Sequence, residues 1–145
     1  MSITHSENAS GISDLVATRA DALRSKSPTG TLSTQAPDFV QYGLGGPLQL
    51  AGDTAMDVAY LEQAFGGFEG PVDYEVVDQH ELIGEDVAVT YSLARIGYTV
   101  AGKRTDMWFR KTLAMAKIDG AWAIVHEHES VPMTPEGTAA TDLRP

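Results

Sequence analysis

Apolar positions in the early part of the chain fall at helical spacing. From Gly11, Ile12, Leu15, Val16, Ala20 and Leu23 recur at three- and four-residue steps, with Arg19 among them, and predict an amphipathic helix to about Ser25. Ser10 or Ser13 is positioned to cap its start. Ser27 to Asp38 holds two prolines, a glycine and many hydroxyls and reads as a loop. A short strand, Phe39 to Tyr42, runs into Gly43-Leu44-Gly45-Gly46-Pro47, and Leu48 to Leu50 resumes extended structure. A second helix begins at Asp53 or Thr54, with Asp57 placed as in a capping box. Its apolar stripe is Met56, Tyr60, Leu61, Ala64, Phe65 and Phe68, and Gly66-Gly67 and Gly70-Pro71 end it.

Beyond Pro71 the period changes to that of strands: Val72 to Ile83, Asp86 to Thr99, Thr105 to Ile118 and Ala121 to Val131. The separators Gly84-Glu85, Ala101-Gly102-Lys103 and Asp119-Gly120 have hairpin length. Helices followed by a run of strands predict an α+β domain, with helices packed on one face of a curved antiparallel sheet. Residues 1–10 and 134–145 are small and polar or rich in Gly, Ala, Thr and Pro, and are expected to be loose. Strict alternation in the last strand puts Trp122, Ile124, His126 and His128 on one face and Ala123, Val125, Glu127 and Glu129 on the other. On the preceding strand Trp108, Arg110 and Thr112 share a face opposite Met107, Phe109, Lys111 and Leu113. A hairpin at Asp119-Gly120 brings Arg110 and Thr112 beside His126 and His128.

Composition narrows the partners. The chain has 145 residues, enough for a single core without staples. It contains no cysteine, which removes disulfides and thiolate chemistry and fits a reducing, cytoplasmic setting. With 10 Lys+Arg against 20 Asp+Glu the formal charge is −10, a field that repels phosphate backbones and acidic lipid, so neither nucleic acid nor membrane is an expected partner. The N-terminus has no basic and apolar leader pattern, and no stretch approaches the ~20 apolar residues of a bilayer span.

The order of elements resembles the nuclear transport factor 2-like superfamily, a cone-shaped α+β barrel, and within it the SnoaL-like, ketosteroid-isomerase-homologue group. The residues that carry this are Asp86-Val87-Ala88, Arg110-Lys111-Thr112, the run Lys117-Ile118-Asp119-Gly120-Ala121-Trp122-Ala123-Ile124-Val125-His126-Glu127-His128, and Ser130-Val131-Pro132. They span a domain of about residues 11–133. The resemblance implies a pocket for a small molecule and a homodimer covering the open sheet face. Tyr42 is followed by Gly43, where the group often has an aspartate, and the tyrosine and two acids of ketosteroid isomerases have no matching positions here.

Within such a cone, Arg110, His126 and His128 form a candidate catalytic set: a guanidinium to stabilise an oxyanion and imidazoles to move a proton near neutral pH. Tyr42, Trp108, Thr112, Trp122 and Ile124 would bind substrate as an apolar wall with a few polar groups. The substrate would be a small, largely apolar carbonyl compound, turned over by an isomerase, cyclase or dehydratase. The other reading turns the same face outward, with Arg110 paired to Glu127 or Glu129 and the histidines bonding across a dimer interface in a non-catalytic binding module. His126 and His128 with His80 are a partial metal set, but without cysteine or a His-Glu-x-x-His pattern no metal or other cofactor is expected. Asp57 reads as a helix cap.

Overall fold

The computed structural model describes residues 3–51 and 56–145. Its elements are α1 (Ile3–Arg24), α2 (Pro28–Leu32), β1 (Gln35–Tyr42), β2 (Leu50–Ala51), α3 (Val58–Gly66), β3 (Asp73–Ile83), β4 (Val87–Val100), β5 (Lys103–Ile118) and β6 (Ala121–Ser130). The strands form one curved sheet in the order β2-β1-β6-β5-β4-β3. The expected meander is present, since β3 to β6 pair antiparallel in sequence order. Two of its turns rest on positive φ at both central residues, Ala101-Gly102 (50° and 75°) and Asp119-Gly120 (50° and 83°). That is the backbone whose twist suits a two-residue hairpin.

The sheet differs from the expected one in two ways. β1 pairs parallel to β6, so the sheet is mixed, and it stays open between β2 and β3 rather than closing into a barrel. Most of the chain separates β1 from β6, and no hairpin dictates their relative direction. β1 also begins at Gln35, earlier than Phe39, and the expected loop before it holds the short helix α2, whose first turn is capped by the Ser27 hydroxyl accepting from the Gly30 amide. The Asp53 or Thr54 helix start lies outside the described residues. The described helix α3 starts at Val58, and Asp57 is its cap, accepting from the Tyr60 amide at 2.8 Å.

Residues near both ends of the described chain are held against the domain. Within α1, Asn8 is buried; its amide donates to the carbonyls of Gly84 (3.1 Å) and Glu85 (3.3 Å), and it accepts from Lys117 Nζ. At the other end the Ala140 amide donates to the Pro132 carbonyl and Ala140 is buried, folding the last segment back.

α1 lies across the inner face of the sheet. Ile12, Phe39, Leu113, Met115 and Ile124 form the main core with Met56, Leu61 and Phe65 from the α3 region. A second cluster joins Ala20, Tyr74, Ala94 and Phe109. At Gly11 the helix passes so close to the indole of Trp122 that an added Cβ would sit 2.9 Å from its Cδ1. Alanine gains roughly 1 kcal/mol over glycine in an open helix interior. Here the methyl must displace a ring held between α1 and the sheet, and overpacking of that kind costs about 1–3 kcal/mol. Gly11→Ala is therefore expected to lower the thermal midpoint rather than raise it, as measured by circular dichroism.

Candidate functional site

The last strand carries one extra residue. Ala114 pairs with His126 and Met115 with Ile124, so Val125 has no partner on β5 and forms a β-bulge. Before the bulge Trp122 and Ile124 face inward; after it Glu127 and Glu129 do, opposite Leu113 and Lys111. The burial of Ile124 and then Glu127, three positions apart on one strand, is the trace of that switch.

The inward carboxylate of Glu127 stands among buried cations. Arg19, on α1, donates Nε to its Oε2 at 3.1 Å and an Nη to its Oε1 at 3.3 Å. Lys111 Nζ lies 3.3 Å from Oε2, and the Gln41 amide donates to Oε1. The other Nη of Arg19 donates to Thr34 Oγ1 (2.8 Å) and Gln35 Oε1 (3.0 Å), and its guanidinium lies over the Phe39 ring at 5.1 Å. Lys111 also donates to the Tyr74 hydroxyl. Glu129, directly across from Lys111, has no hydrogen-bond or ion-pair partner among the described residues.

These groups form one wall of a cavity of about 220 Å³. Leu23, Leu61, Phe65, Ile96 and Phe109 supply its apolar lining, and Leu44 and Tyr60 also border it. A mostly apolar pocket with a few convergent polar groups is the usual architecture of a small-molecule site. Burial works against the charge on Glu127, but Arg19 and Lys111 outweigh it and hold the carboxyl well below its ordinary range. Burial likewise opposes the Lys111 charge, and the neighbouring Glu127 and Tyr74 outweigh that too, keeping the amine protonated. For Glu129, burial and then the Glu127 charge push the carboxyl up to about 8, the cations only partly opposing them. Tyr74 is raised, first by burial.

His126, His128, Arg110, Trp108, Thr112 and Tyr42 stand on the outer face, away from this cavity. The bulge corrects the expected single face of the last strand, because it turns the two histidines outward while Trp122 and Ile124 point inward. Of the expected cross-strand neighbours, Thr112 lies opposite His128, whereas Arg110 lies opposite Ser130 and donates Nε to its Oγ at 3.1 Å. Tyr42 packs edge-on against His126 (4.6 Å) and His128 (5.4 Å). His126 Nδ1–H donates to the Val40 carbonyl at 2.6 Å, which sets its tautomer. Ile124 is core, and Trp122 borders a separate open cleft with Lys117 and α1. The expected pairing of Arg110 with Glu127 or Glu129 does not occur; Arg19 takes that place on Glu127. His80, on β3 and three strands from β6, stacks on Tyr91 of β4, and no three metal-ligating side chains converge among the described residues.

Arg19, Tyr74, Lys111, Glu127 and Glu129 are the residues that periodicity passed over. Their signal was available: Arg19 occupies a position on the apolar stripe of its helix, and Lys111 sits between Phe109 and Leu113 on the apolar face of its strand. A charge at a core position is a group that needs partners.

The raised carboxyl of Glu129 makes stability depend on pH. From its ordinary 4.5 up to about 8, the folded protein holds a proton that the unfolded chain releases, so this group's contribution to stability is full below 4.5 and lost as pH rises through 8. Glu129→Gln is expected to melt higher than the parent at pH 8–9, by on the order of a few kcal/mol, since each tenfold change in proton affinity is worth about 1.4 kcal/mol. The gap closes towards pH 5, and parallel melts across that range measure it.

Residues 12–134 match the family model described as a SnoaL-like domain. Among solved structures the chain is similar to a nuclear transport factor 2-like protein of unknown function from Pseudomonas putida KT2440, at 24% identity and a TM-score of 0.85, covering 97% of this chain and 98% of that one. It is also similar to a protein from Streptomyces avermitilis provisionally named a dehydratase of the same family, at 12% identity and a TM-score of 0.75, over 89% of this chain and 99% of that one. A third, from Novosphingobium aromaticivorans and provisionally named a scytalone dehydratase, shows 16% identity and a TM-score of 0.75, over 100% and 99%. No curated protein matches the chain. With the family match spanning nearly the whole described fold, the chain belongs to the SnoaL-like family, with a nuclear transport factor 2-like fold.

Proposed function

We propose that the protein is an enzyme of isomerase, cyclase or dehydratase type that moves a proton on a small, largely apolar carbonyl compound held in the inner cavity. The observation that carries this reading is Glu129: an unpartnered carboxyl, raised to about 8, in an apolar cavity beside a protonated lysine and a phenol. A carboxyl with that value has both forms available near neutral pH, as proton transfer in both directions requires. Its carboxylate would take a proton from the carbon next to the carbonyl, the electron pair moving onto an oxygen held by Lys111 and Tyr74. Returning the proton to another carbon gives an isomer; expelling a β-hydroxyl as water, with the same proton, gives an unsaturated carbonyl. Lys111 is held as an ammonium and so acts electrostatically, not as an imine-forming amine. The provisional dehydratase names of two structural relatives fit this class.

A second reading concerns the outer face and is favoured by its exposed side chains. Tyr42, Leu82 and Tyr91 are 40%, 64% and 45% exposed, and His80, Thr112 and His128 stand among them on the same side of the sheet. This face is proposed to pair with a second copy of the chain, whose matching face would cover these residues.

In D2O, wild-type protein is expected to speed deuterium uptake at the α-carbon of small cyclic ketones, observed by NMR, and Glu129→Gln to cut that rate by roughly 10²-fold or more. His126→Ala and His128→Ala leave it unchanged; loss of exchange in these, with Glu129→Gln still active, would move the chemistry to the outer face. Light scattering should give a dimer for the parent chain and a monomer for Tyr91→Arg, which places a charge in the proposed contact; a monomeric parent sinks the assembly reading.

A further inference from the structure

The cavity wall presents unspent hydrogen-bonding capacity in a defined pattern. Arg19 is mostly spent: Glu127, Thr34, Gln35 and the Thr31 carbonyl take Nε, one Nη and one N–H of the other Nη. Glu127 is consumed as well, by Arg19, Lys111 and Gln41. Lys111 donates one of its three N–H groups to Tyr74 and stands in ion-pair contact with Glu127. Tyr74 accepts from Lys111 and retains its own O–H, and Glu129 has no partner among the described residues. Lys111, Tyr74 and Glu129 all line the same cavity.

We infer that the ligand of this cavity carries one negative charge spread over two oxygens, a carboxylate or an enolised 1,3-dicarbonyl, seated against Lys111, Tyr74 and Glu129. The inference deepens the proton-transfer reading by naming its substrate class, and it rests on the same cavity being the site.

Charge balance, donor count and shape all support it. Arg19 and Glu127 cancel as an ion pair, so Lys111 brings a positive charge that only a shared carboxylate opposes, in a place where burial makes an unbalanced charge costly. With Glu129 protonated below about 8, its hydroxyl adds a third donor and no negative charge. The charged and titratable groups facing Glu129 are Glu127 on β6, Lys111 on β5, Tyr74 on β3 and Arg19 on α1. Two donors from Lys111 and Tyr74 and one from Glu129 exceed what a lone carbonyl oxygen accepts and suit a two-oxygen anion. A phosphate fits less well: it brings more charge, and the one guanidinium at the wall is already ion-paired to Glu127 with most of its donors on protein acceptors. The opposite side of the cavity, with Leu23, Leu61, Phe65, Ile96 and Phe109, takes an apolar body. A volume of about 220 Å³ suits a single ring with short substituents.

The test is titration calorimetry with four probes of one size class: benzoate, cyclohexane-1,3-dione as its enolate, benzamide and acetophenone. At pH 6.5 benzoate, the enolate or both should bind at least about tenfold tighter than benzamide, the difference expected of charge-assisted hydrogen bonds. Which anion binds tells the carboxylate from its dicarbonyl vinylogue. Tyr74→Phe keeps the ring and removes one donor, and should weaken the anions while leaving benzamide unchanged. Anion affinity should fall as pH rises through about 8 in the parent and stay flat in Glu129→Gln, which cannot ionise. Equal binding of benzamide and both anions overturns the inference, as does failure of all four probes to bind. If acetophenone binds and exchanges its α-protons with no anion preference, the proton-transfer reading stands and this one falls. If the anions bind selectively and no ketone exchanges its α-protons, this inference stands and the proton-transfer reading falls.

Discussion

A single unpaired residue, Val125, decides what this protein's cavity contains. Without it, strict alternation would carry Trp122 and Ile124 inward and continue with His126 and His128 on the same side. With it, the strand changes face between Ile124 and His126, and two carboxyls enter the interior where imidazoles would have stood. The bulge is what the interior chemistry depends on, because Glu127 reaches Arg19 and Lys111 only from the inner face.

Bringing Glu127 inside would be costly alone. The structure meets that cost with a guanidinium that forks onto both carboxylate oxygens, an ammonium from the next strand and an amide from β1. The cluster therefore ties together α1, β1, β5 and β6, and breaking one partner would leave an uncompensated buried charge, which generally costs several kcal/mol. Its second effect falls on Glu129, two residues along: a neighbouring charge that is permanently negative helps keep the next carboxyl protonated. A structural ion pair thus tunes the group that faces the cavity.

The two faces of the sheet divide labour. The inner one joins an apolar lining to this polar wall, and the outer one displays Tyr42, Tyr91 and the three strand histidines, His80, His126 and His128. The family fold supports many chemistries, so the proposed function rests on side chains rather than on architecture.

Much of the fold was legible in the residues themselves. Period-two runs and the Ala101-Gly102 and Asp119-Gly120 turns place β3 to β6 within a residue or two, because the strand period and positive-φ turns are local properties. The Asp57 cap followed from the same local rules. The pairing of Thr112 with His128 did not, since the turn register that pairs Ile118 with Ala121 would put Thr112 opposite Glu127 without the bulge. The parallel docking of β1 on β6, the open edges of the sheet and the bulge at Val125 were not legible. Each depends on contacts between segments far apart in the chain, and one unpaired residue leaves no mark on a periodicity that is counted locally. Sequence alone set Arg19 on the apolar stripe of its helix and Lys111 on one strand face with Phe109 and Leu113. Only the tertiary structure decided that Glu127 and Glu129, rather than His126 and His128, share the interior with them, because in a strand a shift of one residue exchanges the two faces.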